Sequence, residues 1–516
     1  MDAILLGKGL TDDIPVHLLP RFGNRHGLVA GATGTGKTVT LMTLAENFSR
    51  IGVPVFLADA KGDVAGLAVP GEGGEKLLAR AAETGVDGYS PEGNPTLFWD
   101  LYGQAGHPVR TTVSEMGPTL LARILELNDT QAGVLDIVFK LADDRGLLLL
   151  DLDDLKALLG LVAAERKTVS TEYGLVSAPS IAAIQRALLR LVADGGEQFF
   201  GEPALALADL MRVDHRGRGV VSILAADKLI LKPRLYSTFL LWLLSELFET
   251  LPEVGDLDKP KLAFFFDEAH LLFADAPPAL LQRIEQVVRL IRSKGVGVYF
   301  CSQLPDDIPD NVLGQLGNRV QHALRAYTPR DQKAVRAAAE TFVPNPKLDV
   351  RATLTAMGTG IALVSTLQDK GVPAPVQETM IAPPRCRMGA ISAEERNRIR
   401  AASPVGAQYD TPINRQSAAE MLAARAHQVA GEAAAANEEQ GGIGKSIRDL
   451  FLGSGRRQGV IESVAKQTTR NVGGQIGRNI GGSIGESVMG KSGKKFGAQI
   501  GNQIVRGILG GIFGRR

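Results

Sequence analysis

The sequence predicts an α/β protein with a mainly parallel sheet, and two motifs carry this prediction. Residues 31–38 read Gly-Ala-Thr-Gly-Thr-Gly-Lys-Thr, a full match to the phosphate-binding P-loop. Residues 262–268 form an apolar run that ends in Asp267 and Glu268. A buried strand that delivers two carboxylates at its end is what an NTPase that uses Mg²⁺ requires. Together the motifs indicate a nucleotide-binding core.

The P-loop lies between a predicted strand, Gly27 to Ala30, and a predicted helix, Val39 to Phe48. Glycines let the chain wrap a polyphosphate, and the helix that follows presents free N–H groups and a positive dipole end. Lys37 is expected to reach the β- and γ-phosphates, and Thr38 to ligate Mg²⁺. The residues predicted to contact the nucleotide are Gly31, Ala32, Thr33, Gly34, Thr35, Gly36, Lys37, Thr38 and Val39.

The acidic pair has a predicted division of roles. Asp267 is expected to hold Mg²⁺ through its water shell, and Glu268 to polarise the attacking water as general base. The alternative is that Asp-Glu only caps the next helix, which would leave the P-loop without its metal partner. The sequence therefore favours the catalytic interpretation.

Residues 53–59 form a second apolar strand, so strand, helix and strand make a right-handed βαβ unit. Because ligands of parallel sheets lie outside the carboxyl ends of the strands, Asp59, Lys61 and Asp63 are expected to border the nucleotide. A solvated polar turn is the alternative. Farther on, a strand over residues 297–302 ends at Gln303, which we interpret as a sensor of the γ-phosphate or attacking water; the alternative is a polar residue that meets solvent.

Composition restricts the class of protein. The chain has 516 residues, 45% of them hydrophobic, and a net charge of +1, so it can bury a large core. Its two cysteines are too few for a disulfide framework or a zinc site. We find no secretory signal and no apolar stretch long enough to span a bilayer, and we expect a cytoplasmic protein.

With these parts in order, the chain resembles the HerA/FtsK group of P-loop motor ATPases, and most closely the bacterial HerA-like proteins of the YjgR kind, whose cellular role is poorly defined. The resemblance covers about residues 10–385. Besides the P-loop and Asp267-Glu268-Ala269-His270, it rests on residues 24–27 (Asn-Arg-His-Gly), residues 59–63 (Asp-Ala-Lys-Gly-Asp) and Gln303 followed by residues 307–309 (Asp-Ile-Pro).

The resemblance implies a RecA-like core that hydrolyses ATP with Mg²⁺, six identical subunits in a ring, and ATP bound between neighbours. It also implies mechanical work on double-stranded DNA. In such rings an arginine of the adjacent subunit stabilises the transferring phosphoryl group. Arg325 lies where HerA-like chains usually carry this arginine, and Arg319 is a second candidate; an ordinary surface arginine is the alternative for either.

Two departures from the family pattern limit the partners. Archaeal HerA has a β-barrel ahead of its P-loop that helps dock a nuclease, whereas about 30 residues precede Gly31 here. This argues against a nuclease partner. The membrane helices and DNA-reading winged helix of FtsK-type translocases are not visible either.

The predicted organisation has five segments. They are residues 1–110 (first part of the core), 111–215 (helical insertion), 216–385 (second part of the core), 386–440 (polar, Ala-rich helices) and 441–516 (a basic, glycine-rich tail). The tail holds thirteen Lys/Arg and three Asp/Glu, a local charge of +10. Its glycines recur every fourth residue from Gly473 to Gly485, which is compatible with a self-association zipper, contact with a membrane surface, or nucleic-acid binding by charge.

Two functional hypotheses follow. The first is a ring-forming, Mg²⁺-dependent ATPase that acts as a DNA translocase or helicase. The second is a nucleotide-gated oligomeric scaffold whose tail contacts membrane or protein partners and which has no activity on DNA.

Overall fold

The structure, a computed structural model, describes residues 3–273 and 276–439, without the side chains of Arg330 and of residues 430–439. The glycine-rich tail predicted for residues 441–516 lies outside these residues. The described chain forms two compact units. The first contains residues 3–139, 149–152, 182–273 and 276–415, and the second contains residues 140–148, 153–181 and 416–439. The five segment boundaries drawn from the sequence stay predictions.

The strands all belong to the first unit. In chain order they are β1 (Ile4–Gly9), β2 (Pro15–Leu18), β3 (Gly27–Ala30), β4 (Val55–Asp59), β5 (Thr96–Asp100), β6 (His107–Pro108), β7 (Val221–Ala225), β8 (Leu262–Phe266), β9 (Val296–Ser302), β10 (Asn318–His322), β11 (Ile361–Ser365) and β12 (Gln377–Ile381).

The helices are distributed over both units. They are α1 (Lys37–Arg50), α2 (Glu75–Thr84), α3 (Val113–Ile124), α4 (Asp129–Arg145), α5 (Leu152–Ala164), α6 (Arg166–Tyr173), α7 (Ala178–Ala193), α8 (Leu207–Leu210), α9 (Pro233–Thr250), α10 (His270–Phe273), α11 (Pro278–Leu290), α12 (Asp310–Leu313), α13 (Pro329–Glu340), α14 (Val350–Ala356), α15 (Ala393–Ala401), α16 (Gly406–Tyr409) and α17 (Ala418–Glu439).

One twelve-stranded sheet organises the first unit, in the order β2-β1-β12-β11-β10-β3-β9-β8-β4-β7-β5-β6. From β10 to β6 every neighbouring pair is parallel. The central strands are buried along their whole length, as in β8, because helices cover both faces of a parallel sheet. The prediction of an α/β fold with a mainly parallel sheet is therefore confirmed.

The P-loop strand β3 lies between β10 and β9, and β9 separates it from β8, which carries the acidic pair. Next to β8 lies β4, the second strand of the predicted βαβ unit. This is a RecA-like core. Since the five strands are parallel, their carboxyl ends meet at one edge of the sheet, and the loops that follow β3, β4, β8, β9 and β10 converge there.

The other side of the sheet is antiparallel and was not foreseen in full. The sequence after β9 extends the sheet through β10 and β11. The apolar pattern did not predict β1, β2 and β12, which pair antiparallel with one another beside β11. These three strands form the end of the sheet beyond β11, and they come from both ends of the core in sequence.

The chain between β6 and β7 is helical, from α3 to α8, and part of it builds the second unit. In that unit the buried carboxylate of Asp154 on α5 accepts the N–H of Ala419 (2.8 Å), which fixes the start of α17. Within the described residues no single helix is long and apolar enough to cross a membrane, although α6 and α7 taken together reach that length and composition.

The helix that follows the P-loop, α1, is tied to the end of the core by a buried glutamate. Glu46 is 4% exposed, and its carboxylate accepts the backbone N–H groups of Arg385 (2.9 Å) and Cys386 (3.0 Å). Burial raises the pKa of Glu46, and the two N–H donors partly offset this effect. The contact fixes α1 against the segment that follows β12.

We expect Glu46→Ala to lower the free energy of unfolding by about 2–4 kcal/mol, because two buried N–H groups lose their acceptor. Urea unfolding followed by tryptophan fluorescence measures this, since Trp99 and Trp242 are both buried in the first unit. The control, Glu83→Ala, removes an exposed carboxylate from α2 and should change the value by no more than about 0.5 kcal/mol. Equal shifts in the two variants would contradict the assigned role.

Candidate nucleotide-binding and hydrolysis site

The P-loop has the backbone that its glycines predict. Gly34 has φ +77° and Gly36 has φ +114°, in the left-handed region that side chains with a Cβ rarely adopt. Gly36 is the N-cap of α1, so Lys37 opens the helix. Thr33 and Gly34 are exposed at the tip of the loop. The loop therefore presents its backbone to the outside at the start of a helix.

The loop is anchored to the strands on both sides of β3. The N–H of Gly31 donates to the carbonyl of Ser302 at the end of β9 (3.3 Å), and the N–H of Ala32 donates to the carbonyl of Ala323 just after β10 (2.9 Å). On its other side the carbonyl of Thr35 accepts the N–H of Gly360 (2.9 Å). Three segments distant in sequence therefore fix the shape of the loop.

A buried histidine, His322, lies directly beneath the P-loop. A Cβ on Gly31 would lie 2.5 Å from the Cβ of His322, so only glycine fits there. The Nδ1 of His322 is 3.0 Å from the carbonyl of Ile361, and its Nε2 is 2.8 Å from the hydroxyl of Thr40 on α1. Because a carbonyl only accepts, Nδ1 carries the proton and Nε2 accepts from Thr40. The neutral imidazole thus joins β11 to α1.

The acidic pair follows β8 in a constrained conformation. Asp267 and Glu268 are 6% and 5% exposed. Glu268 has φ +46°, a left-handed conformation that is uncommon outside glycine and costs on the order of 1–3 kcal/mol. The turn is held by the N–H of Ala269, which donates to the carbonyl of Cys301 on β9 (2.7 Å). Strain of this kind is found where a side chain must take a fixed direction.

Three carboxylates meet beside this pair, from Asp59, Asp63 and Asp267, with ligand oxygens that all lie within 4.8 Å of one another. One oxygen of Asp63 and one of Asp267 are buried and have no hydrogen-bond partner among the described residues. Such oxygens need a donor or a cation, and Mg²⁺ prefers carboxylate ligands. The residues present therefore fit Mg²⁺. The sequence had assigned only Thr38 and Asp267 to the metal.

The electrostatics of the cluster reflect crowded, buried negative charge. Burial, followed by the charges of Glu268 and Asp63, raises the pKa of Asp267 to about 6. Burial likewise raises the pKa of Asp59 to about 7, with the charges of Asp63 and Asp267 adding to it. A cation at this position would favour the ionised forms of these groups.

Glu268 has the opposite shift. Burial opposes its ionisation, but the hydrogen bond and charge of Lys61, the charge of His270 and a hydrogen bond from Gln303 outweigh burial, so its pKa is lowered. Lys61 forms an ion pair with one oxygen of Glu268, and the Nδ1 of His270 is 3.2 Å from the other. The candidate general base is therefore ionised, with Lys61 on one oxygen and no hydrogen bond from the described residues on the other.

The loop after β9 places Gln303 at the same edge of the sheet. The carboxylate of Asp307 accepts the hydroxyl of Ser302 (2.6 Å) and the N–H of Leu304 (2.8 Å), which fixes the loop around Gln303. Gln303 is exposed and interacts with Glu268. This position, between the P-loop strand and the acidic pair, suits the sensor role, which stays a prediction.

The two candidate arginines lie in different surroundings. Arg325 is exposed in the loop after β10, on the carboxyl side of the sheet. Arg319 lies near the start of β10, and its guanidinium donates to the backbone carbonyls of Leu316, Thr341 and Leu313. These contacts give Arg319 a local structural role away from the P-loop. Arg325 is thus the better placed candidate to reach a neighbouring subunit.

The sequence as a whole identifies the family. A family profile described as helicase HerA-like C-terminal matches residues 6–516. The chain belongs to the HerA-like helicase family. The resemblance drawn from the motifs is therefore confirmed, and this HerA-like chain is an ATPase. A comparison with curated proteins gave no match.

Solved structures provide distant neighbours. The plasmid coupling protein TrwB in complex with the ATP analogue ADPNP is 16% identical, with a TM-score of 0.48 over 76% of this chain and 91% of that one. TrwB in complex with ADP and Mg²⁺ is 17% identical, with a TM-score of 0.45 over 75% and 92%. VirB4 of Thermoanaerobacter pseudethanolicus is 14% identical, with a TM-score of 0.45 over 77% and 98%. Likenesses this distant carry no statement about activity.

The geometry assigns a task to each group of the HerA-like site. The P-loop N–H groups and Lys37 are predicted to bind the phosphates, and Thr38 with the Asp267 cluster would hold Mg²⁺. When bound, Mg²⁺ offsets the charge that develops on the β- and γ-phosphate oxygens. Glu268 can accept the proton of the attacking water, because its carboxylate is ionised and fixed in direction.

The sequence did not predict that two residues, His322 and Cys301, lie at the HerA-like site. His322 was an unremarked histidine in an apolar segment, and Cys301 was counted only as a free cysteine. The Cys301 thiol is buried beside Asp267, and burial followed by the Asp267 charge raises its pKa well above the usual range. Neither residue belongs to a motif whose spacing indicates such a position.

His322 leads to a prediction about pH. Burial lowers its pKa to about 4 from an ordinary 6.5, so the unfolded chain binds the proton more readily. Stability from this residue is present above pH 6.5 and is lost as pH falls towards 4. In His322→Gln we expect the loss of unfolding free energy between pH 6.5 and 4 to shrink, on the order of 1–3 kcal/mol.

Urea unfolding of wild type and His322→Gln across this pH range measures the difference. His215→Gln, which changes an exposed histidine, is the matched control and should keep the wild-type pH dependence. If His322→Gln also kept it, the buried neutral imidazole would be ruled out.

Proposed function

We propose that this chain is a ring-forming motor in which ATP hydrolysis drives movement on double-stranded DNA. The observation that carries the hydrolytic part is Glu268, which is buried, ionised and held at φ +46° two strands from the P-loop strand. Family membership supports the DNA part, because the matching profile describes a helicase. Self-assembly into a hexamer, with ATP between neighbours, belongs to the same proposal.

The exposed Arg325 supports assembly. ATPases whose nucleotide lies at a subunit boundary complete the site with an arginine from the neighbour, which contributes 10³–10⁵ in rate, as an order of magnitude. Arg325 is exposed on the loop after β10, the strand beside the P-loop strand. An arginine there is free to meet the nucleotide of an adjacent copy.

The competing proposal is a nucleotide-gated scaffold that contacts a membrane surface or protein partners. Its support is the basic, glycine-rich composition of residues 441–516, which lie outside the described structure. In that case ATP sets the oligomeric state and DNA has no effect. The two proposals make opposite predictions for the response of the ATPase to DNA.

We expect Glu268→Gln to lower kcat about 10²- to 10⁴-fold while ATP binding is retained, because only proton acceptance is lost. We expect linear double-stranded DNA to raise the wild-type rate severalfold. Steady-state ATPase assays of the full chain with and without DNA, together with fluorescent-nucleotide binding, measure both effects. Glu340→Gln, at an exposed position on α13, is the control and should match wild type.

A rate that depends on Glu268 but does not respond to DNA would reject the motor and favour the scaffold. Binding of the full chain to anionic vesicles would then be the next measurement. A rate that Glu268→Gln leaves unchanged would reject the assignment of the general base itself.

The role of Arg325 is tested by mixing variants. Arg325→Ala and Glu268→Gln should each be inactive alone, whereas mixed rings contain boundaries that carry both wild-type groups and should regain activity. The measurement is ATPase rate against mixing ratio. Arg336→Ala, an exposed arginine of α13, should be active without mixing. Inactive mixtures of intact rings would show that Arg325 does not act across the boundary.

A further inference from the structure

The ammonium of Lys61 forms an ion pair with Oε1 of Glu268, the candidate general base. The two partners differ in exposure: the Lys61 side chain is 51% exposed, whereas that of Glu268 is 6% exposed. One half of the pair is therefore fixed in the protein, and the other can be reached by a ligand in solution.

The backbone of the loop that carries Lys61 is held in place by Asp59, whereas the Lys61 side chain is half-exposed. Oδ1 of Asp59 accepts the N–H groups of Gly62 (2.7 Å) and Lys61 (3.3 Å). Gly62 takes φ +78°, which lets the chain turn sharply after Lys61. A lysine on such a loop can change partners through rotation of its own four-carbon stem alone.

The ion pair between Lys61 and Glu268 opposes the role of Glu268 as general base. A general base must accept a hydrogen bond from the attacking water, and here Lys61 occupies Oε1 of Glu268. The second oxygen, Oε2, is buried and has no hydrogen-bond partner among the described residues, although Nδ1 of His270 lies 3.2 Å away. With Lys61 in place, Oε1 of Glu268 is therefore already engaged.

The sheet order gives the distance between the loop of Lys61 and the P-loop. Lys61 follows β4, and β8 and β9 lie between β4 and the P-loop strand β3. Three strand spacings amount to about 14 Å, with Glu268 of β8 in between. The P-loop backbone thus lies three strands from the loop of Lys61, and the exposed half of the Lys61 side chain is open to an anion that arrives from solution.

We propose that Lys61 is a positioning residue that restrains Glu268, and that a backbone phosphate of bound DNA releases this restraint by taking the ammonium. The DNA part rests on the proposed motor function. A backbone phosphodiester carries one negative charge, as a carboxylate does, and DNA presents these charges at short, regular intervals along its surface. Hydrolysis would then accelerate only when DNA occupies the surface beside β4.

The test compares Lys61→Met, which removes the charge at similar length, with Lys61→Arg, which keeps it. In Lys61→Met we expect kcat without DNA to rise about twofold to fivefold, the range of a weak, partly exposed ion pair, with the KM for ATP within about twofold. Added DNA should then increase the rate little further. Lys61→Arg should restore most of the DNA response, and Lys76→Met, at an exposed position of α2, should behave as wild type.

A measurement independent of activity reports on the DNA contact. The slope of log DNA affinity against log salt concentration should fall in magnitude by about 1 in Lys61→Met, because one phosphate contact is lost. Lys76→Met should keep the wild-type slope. Unfolding midpoints of all variants establish that the fold is intact.

The outcomes separate this inference from the motor function. DNA stimulation of wild type, combined with an unchanged basal rate in Lys61→Met, would overturn the restraint and leave the motor intact. A drop to the rate of Glu268→Gln would also overturn it, since Lys61 would then take part in the reaction. A raised basal rate without any DNA response in wild type would support the restraint and overturn DNA as its ligand.

Discussion

The accumulation of buried negative charge at the carboxyl ends of β4 and β8 is the constraint on which the site depends. Asp59, Asp267 and Glu268 lie side by side and largely out of water, where like charges oppose one another's ionisation. Each needs a compensating group: two loop N–H groups for Asp59, a cation for Asp267, and Lys61 for Glu268. The parallel sheet is what brings these groups together, because it aligns the ends of strands that are far apart in sequence.

Much of the fold could be predicted from local pattern. The apolar runs that became β4, β8 and β9 are buried on both faces, and such strands are continuous stretches of hydrophobic residues. The antiparallel strands β1 and β12 could not be predicted in the same way. They lie at opposite ends of the core, and their pairing depends on contacts across more than 350 residues.

The residues of the candidate site fall into the same two groups: those that a local motif predicts, and those that depend on contacts with distant parts of the chain. The P-loop and the acidic pair are motifs whose chemistry is encoded in adjacent residues, and the placement of Asp59 and Lys61 followed from their position at a strand end. His322 and Glu46 could not be assigned, because each acts on a partner hundreds of residues away. The role of Arg319 as second candidate for the arginine of a neighbouring subunit stays a prediction, and nothing in the sequence indicated that its guanidinium donates to three nearby carbonyls.

Strand β9 lies between the P-loop strand β3 and strand β8, which carries the acidic pair, and this fixes the distance that a bound nucleotide must span. Two strand spacings, about 10 Å, separate the P-loop backbone from the backbone that carries Glu268. A phosphate chain must extend across the end of β9 before its terminal group comes near that carboxylate. The difference in length between a triphosphate and a diphosphate therefore decides whether the terminal phosphate comes near Glu268. The spacing of the hydrogen-bonded strands fixes the length that is required.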